Sequence, residues 1–119
     1  MPTIRIAIVT LTLILSSCSS EVPTTGEELR AICSAYEKNK AGQVTDNPGQ
    51  QRADLAACVG FIAGTGFVSQ NAGCPPEDHP PGQEVEIVIK YLKKHSLQLH
   101  RPASHLVEEA LREAWPCKK

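Results

Sequence analysis

Four cysteines, Cys33, Cys58, Cys74 and Cys117, lie downstream of an N-terminal apolar run, and this combination constrains the fold more than any other feature of the chain. The run, Ile6 to Leu15 (IAIVTLTLIL), stands behind Arg5 and ahead of small residues, which is the layout of a signal peptide. Its ten residues fall well short of the roughly 20 needed to cross a bilayer. An exported chain folds in an oxidising compartment, where an even number of cysteines reads as a disulfide framework.

The cleavage region, Leu15-Ser16-Ser17-Cys18, resembles the lipobox of bacterial lipoprotein precursors, which are lipidated on the cysteine and cut just before it. On that reading residues 1–17 are the signal peptide, 18–26 a short polar tether and 27–119 the folded domain. Acyl chains on Cys18 would add about 0.8 kcal/mol of anchoring per buried methylene. Ser19 in the next position suggests, by the same resemblance, sorting to the outer membrane. The alternative is a soluble export signal cut a few residues later, with Cys18 discarded and the domain free in the periplasm.

Composition narrows the partner. The chain has 12 basic and 13 acidic residues among its 119, a formal net charge of −1. That balance gives no electrostatic footprint for nucleic acid. The length allows one core, not two.

Periodicity predicts an all-α fold of about four helices. Thr25 and Glu28 have capping-box spacing, and Leu29, Ile32, Cys33 and Tyr36 then share one face of a helix running from Glu27 to Asn39. Lys40 to Gly49 reads as a loop. A second helix follows with Leu55, Cys58, Val59 and Ile62 on its apolar face. Its Gly60 and Gly64 form a small-x-x-x-small pair, expected either to pack tightly in the core or to mediate dimerisation. Gly73 to Gly82 (GCPPEDHPPG) is too proline-rich for regular structure and reads as a stiff, acidic, exposed loop.

Glu84 to Leu92 fits either a strand or a helical stripe of Val85, Val88, Ile89 and Leu92. Helix is the better reading, because no partner strand exists elsewhere and a lone strand is unstable. Pro102 opens the last helix, in which Ala103, Leu106, Val107, Ala110, Leu111 and Ala114 recur on one face until Pro116 stops it. Helices one and two, as antiparallel neighbours, would bring Cys33 to Cys58. Cys74 and Cys117 then remain to tie the proline loop to the C-terminus. In the chain-entropy model each bridge contributes about 2 to 4 kcal/mol.

No motif for catalysis is present: there is no phosphate-binding glycine loop, no HExxH and no Gly-x-Ser-x-Gly. All four downstream cysteines are committed as disulfides, so none is expected as a nucleophile. His95, His100 and His105 recur every five residues, a step that rotates a helix by about 140° and so does not gather metal ligands on one face. No cofactor or metal is expected. Trp115 is either a partner hot spot or core packing, and Phe67 is either exposed in a turn or closes the core.

The second half of the chain resembles the Rap/Tai family of immunity proteins, which protect bacteria from type VI secretion amidase toxins. The residues that carry the likeness are Cys58 with Gly60-Phe61-Ile62-Ala63-Gly64, then Cys74-Pro75-Pro76, then Gly82-Gln83 and Lys90-Tyr91-Leu92. His100, Pro102-Ala103, Leu106-Val107, Ala110-Leu111 and Pro116-Cys117 continue it, and Cys33 is its anchor in the first helix. Two positions depart from the family pattern, Phe67 where an acidic residue is common and His95-Ser96 where histidine-proline is usual.

The resemblance implies an all-helical, disulfide-containing periplasmic protein, often a homodimer, that binds a peptidoglycan amidase toxin and occludes its cysteine-histidine active site. Two segments are candidate plugs. One is the proline loop, through Glu77, Asp78 and the neighbouring His79. The other is Lys94 to Arg101, through Leu97 and His100. The competing class is a structural or chaperone-like envelope lipoprotein without a toxin partner.

Overall fold

Thr25 and Glu28 form the capping box that their spacing predicts. In the computed structural model, which describes residues 22–80 and 82–118, the Thr25 side chain accepts from the Glu28 backbone N–H and the Glu28 carboxylate accepts from that of Thr25. The helix they open, α1 (Gly26–Lys40), buries Leu29 and Cys33 on its inner face. It is followed by α2 (Pro48–Val68), α3 (Gln83–Lys94), a 3₁₀ turn (Ser96–Gln98) and α4 (Ala103–Ala114). The architecture is all-α. Among the described residues the only β pairing is a single bridge between Thr25 and Pro102.

α2 begins earlier than the composition of its first turn suggests. Asn47 caps it by accepting from the Gln50 N–H at 3.1 Å, and Pro48 takes the first helical position, where a missing N–H costs nothing. What reads as a loop up to Gly49 is therefore already helix from Pro48. Among the described residues no helix is long and apolar enough to cross a membrane.

α3 resolves the ambiguous stretch as helix. Val85, Val88, Ile89 and Leu92 are all buried, whereas Ile87, which a strand would have placed with them, is only partly buried. α4 buries Ala103, Leu106, Val107, Ala110 and Leu111. Together with Leu29, Cys33, Cys58, Ile62 and Leu99 these form one contiguous core. Losing a leucine such as Leu106 to alanine there would cost about 2 to 5 kcal/mol.

Two disulfides staple this core, Cys33 to Cys58 and Cys74 to Cys117. The first is wholly buried between α1 and α2, and the second is exposed at the C-terminus.

The expected tether is docked from Pro23 onward. Pro23 is buried, the Thr24 carbonyl accepts from the Ala103 N–H at 2.9 Å, and the Gly26 N–H donates to the Arg101 carbonyl at 3.0 Å. A Cβ on Gly26 would stand 2.4 Å from the Leu106 side chain, so glycine allows α1 to begin directly against α4. This chain entry and the start of α4 are thereby one rigid unit.

The second expected stripe is corrected at Val59 and at the glycine pair. Val59 is 37% exposed, because α2 turns Cys58, Phe61 and Ile62 toward the core instead. Gly60 lies two residues beyond Cys58, about 200° round the helix, and Gly64 follows one turn later. Both are exposed, and a Cβ built on either meets nothing within 4 Å. The core-packing reading of that pair therefore fails.

Candidate functional site

Glu77, Asp78 and His79 occupy the proline loop, and the loop is held from beneath. Gly73 has φ 78°, in the left-handed region, and a Cβ there would come within 2.6 Å of the Trp115 carbonyl and 2.9 Å of that of Leu111. Only glycine fits. The next residue, Cys74, donates its N–H to the Trp115 carbonyl at 2.8 Å while its sulfur is bonded to Cys117.

Of the three residues, only Glu77 and Asp78 are exposed. His79 folds back. Its Nδ1 donates to the Pro76 carbonyl at 2.7 Å, its ring faces Trp115 with centroids 5.1 Å apart, and its Nε2 lies 3.9 Å from a Glu84 carboxylate oxygen. Trp115 is half-buried against the core, so it serves the loop's internal packing.

The second candidate segment connects α3 to α4. His95 caps the end of α3, with its ring tilted over Tyr91 at 4.1 Å. The 3₁₀ turn then carries Leu97 outward, 92% exposed, while Leu99 two residues on is buried. His100 is exposed beside it.

This short turn is braced on both sides. Backbone bonds run from Gln98 N–H to the His95 carbonyl and from Arg101 N–H to the Gln98 carbonyl. The Leu99 carbonyl accepts from the Glu27 N–H at 2.9 Å, which ties the turn to the start of α1. On the other side the Arg101 guanidinium grips both carboxylate oxygens of Glu109 and also donates to the Gln98 side chain. Tyr91 adds its phenol to the same carboxylate at 2.9 Å.

Charge in this brace follows its geometry. The Arg101 guanidinium beside Glu109 holds that carboxyl below the usual carboxylate range, with the Tyr91 phenol assisting. Burial first, and then the bond to Glu109, push the Tyr91 phenol up. The bidentate pair fixes direction as well as distance, so the backbone carrying Leu97 has little freedom left to lose.

Three other features bear on function. A surface groove of about 420 Å³ between α1 and α3 is lined by Tyr36, Glu37, Lys40, Glu86, Ile89, Lys90 and Lys93. Four of its charges pair off, Lys40 with Glu86 and Lys93 with Glu37, so they do not converge on a ligand. Among the described residues no group of three or more His, Cys, Asp or Glu is arranged to hold a metal ion. Cys18, the expected lipidation site, lies outside the described residues.

Sequence reasoning named Leu97 and His100 without foreseeing what supports them. Arg101 precedes α4 and Glu109 lies in its second turn, a separation that carries no local pairing signal, and only the tertiary structure shows the two pairing and Tyr91 and Gln98 joining them.

The fold and this surface define a disulfide-stapled helical scaffold with braced turns at its surface. The Rap1a immunity protein family model matches residues 25–117, and the chain belongs to that family. No curated protein and no solved structure matches it. Membership implies a toxin-immunity role, in which the protein binds its target as an inhibitor.

Proposed function

We propose that this is a periplasmic immunity protein that binds a type VI secretion peptidoglycan amidase toxin and occludes its cysteine-histidine active site, with the 95–101 turn as the plug. The observation that carries this mode is Leu97, almost wholly exposed on a turn fixed to α1 and α4. A large apolar side chain held rigid in water loses little entropy when a partner covers it, which is the behaviour of a binding anchor. Glu77 and Asp78 supply a second, acidic contact on the proline loop.

The same reading includes an N-terminal signal peptide, a lipid on Cys18 holding the domain to the outer membrane, and a homodimer. Support for the lipid is the lipobox-like Leu15-Ser16-Ser17-Cys18 behind the apolar run. Support for the homodimer is the outer face of α2, where Ala53, Ala56, Gly60 and Gly64 are exposed and uncharged.

A protection assay tests the function. The reading frame beside this gene is exported to the periplasm of a test bacterium, with and without this protein, and lysis is followed. Wild-type protein should abolish lysis. Leu97→Glu should restore it while leaving the melting temperature unchanged, because an exposed side chain contributes nothing to the core. Protection undiminished by Leu97→Glu removes the turn from the interface, and a neighbour that does not lyse the host removes the amidase.

A further inference from the structure

Phe67 and Val68, in the last turn of α2, are 90% and 76% exposed. No acidic or basic residue occurs between Asp54 and Glu77, so the tip carries no charge of its own, and the Glu108 carboxylate of α4 beside it is taken up by the Ser69 hydroxyl at 2.9 Å.

Its position follows from the disulfide register. The Cys33–Cys58 bridge sets those two residues level in the α1–α2 hairpin. Seven residues back from Cys33 is Gly26, and seven on from Cys58 is Thr65. The register also holds at the far end, where Gln51 bonds the Gln43 carbonyl and the Thr45 N–H in the loop that leaves α1. At 1.5 Å of rise per residue, Phe67 and Val68 reach roughly 3 to 5 Å past the level of Gly26. They therefore sit at the end from which the N-terminal chain departs, about one helix spacing of 8–10 Å to the side. Val22, 70% exposed, is at that end too.

We infer that this end of the domain rests on a lipid bilayer, with Phe67 and Val68 seated in the headgroup layer. The inference rests on the lipoprotein reading above. The length of chain between anchor and domain argues for it. Among the described residues Pro23 is the first that is buried, and it lies five residues from Cys18, a stretch that spans at most about 18 Å when fully extended. That is shorter than α2, which at 21 residues is about 32 Å long. A lipid on Cys18 thus holds the Phe67 end near the membrane. The carboxylates of Glu27 and Glu28 stand in the first turn of α1 beside this entry, and they favour a zwitterionic surface over a strongly anionic one.

Val44, 76% exposed in the loop at the opposite end of the hairpin, is the internal comparison. The full chain is produced in a bacterium that acylates lipoproteins, acylation is checked by palmitate labelling, and the protein is reconstituted in vesicles of phosphatidylethanolamine and phosphatidylcholine. Phe67→Trp and Val44→Trp are each read against the chain that carries Trp115 alone, with and without brominated acyl chains. The expected result is a blue-shifted, bromine-quenched signal from position 67 and neither effect at position 44. Equal quenching at both positions, or none at 67 in acylated protein, overturns the proposal. A blue shift at 67 without quenching overturns it in favour of a second protein copy. An unlabelled chain overturns it together with the lipid anchor, while the protection assay still stands.

Discussion

Gly73 shows how much one residue decides in this protein. Its left-handed backbone lets the chain turn under Trp115, so that Cys74 can both donate to the Trp115 carbonyl and bond Cys117. Gly73→Ala should destabilise the domain by about 1 to 3 kcal/mol, the cost of a strained backbone conformation, with further loss because backbone oxygens stand where the Cβ would go. Denaturant unfolding under oxidising conditions measures this, and an unchanged midpoint would show that the turn relaxes freely. Leu97 is the opposite kind of residue: its exposure leaves it immaterial to folding, and only the proposed plug gives it a role.

Among the elements, the α3–α4 connection is the one whose electrostatics are specific. Glu109 has its carboxyl lowered in the folded state from an ordinary value of 4.5, first by the bond from Arg101. A lowered folded pKa means that the unfolded chain takes up protons first as pH falls, so the stabilisation is present above about pH 4.5 and is lost below it. Wild-type protein should therefore lose melting temperature on acidification from pH 4.5 downward. Glu109→Gln should be less stable at neutral pH and flatter over the acid range. The Glu28 carboxylate, also lowered by its bonds to Thr24 and Thr25, will leave part of the acid slope in place. Identical pH profiles for the two proteins would show that the brace carries no stability.

At the scale of the whole molecule, α2 is apolar on two faces, one against the core and one outward through Ala53, Ala56, Gly60 and Gly64. A helix apolar all round is normally covered, and small residues let a second helix approach closely. The homodimer proposal uses this face, leaving the Phe67 tip beyond it for the membrane. Sedimentation should give twice the monomer mass for the wild type. Gly60→Leu should give the monomer mass with unchanged helicity, because nothing in the monomer lies within 4 Å of a Cβ at that position. A Gly60→Leu protein that remains dimeric would move the interface elsewhere.

The helices were legible in the amino-acid order because each reports its own burial. Periods of three and four residues, the Thr25 and Glu28 cap and the proline stops are local signals, and so the all-α class and the number of helices follow from them. The pairing of Cys33 with Cys58 followed as well, since a short loop makes consecutive helices neighbours. The start of α2 was missed because Pro48 and Gly49 are loop-like by composition, and the cap that recruits them depends on a side-chain bond. What only the tertiary structure decided is which apolar residues are left outside. Gly60, Phe67 and Leu97 obey the same local rules as buried residues, and their exposure depends on how the helices are rotated when they pack. That rotation is set by contacts between residues far apart in the chain, chiefly Leu29, Ile62, Leu92 and Leu106 meeting in one core, and no local pattern encodes it.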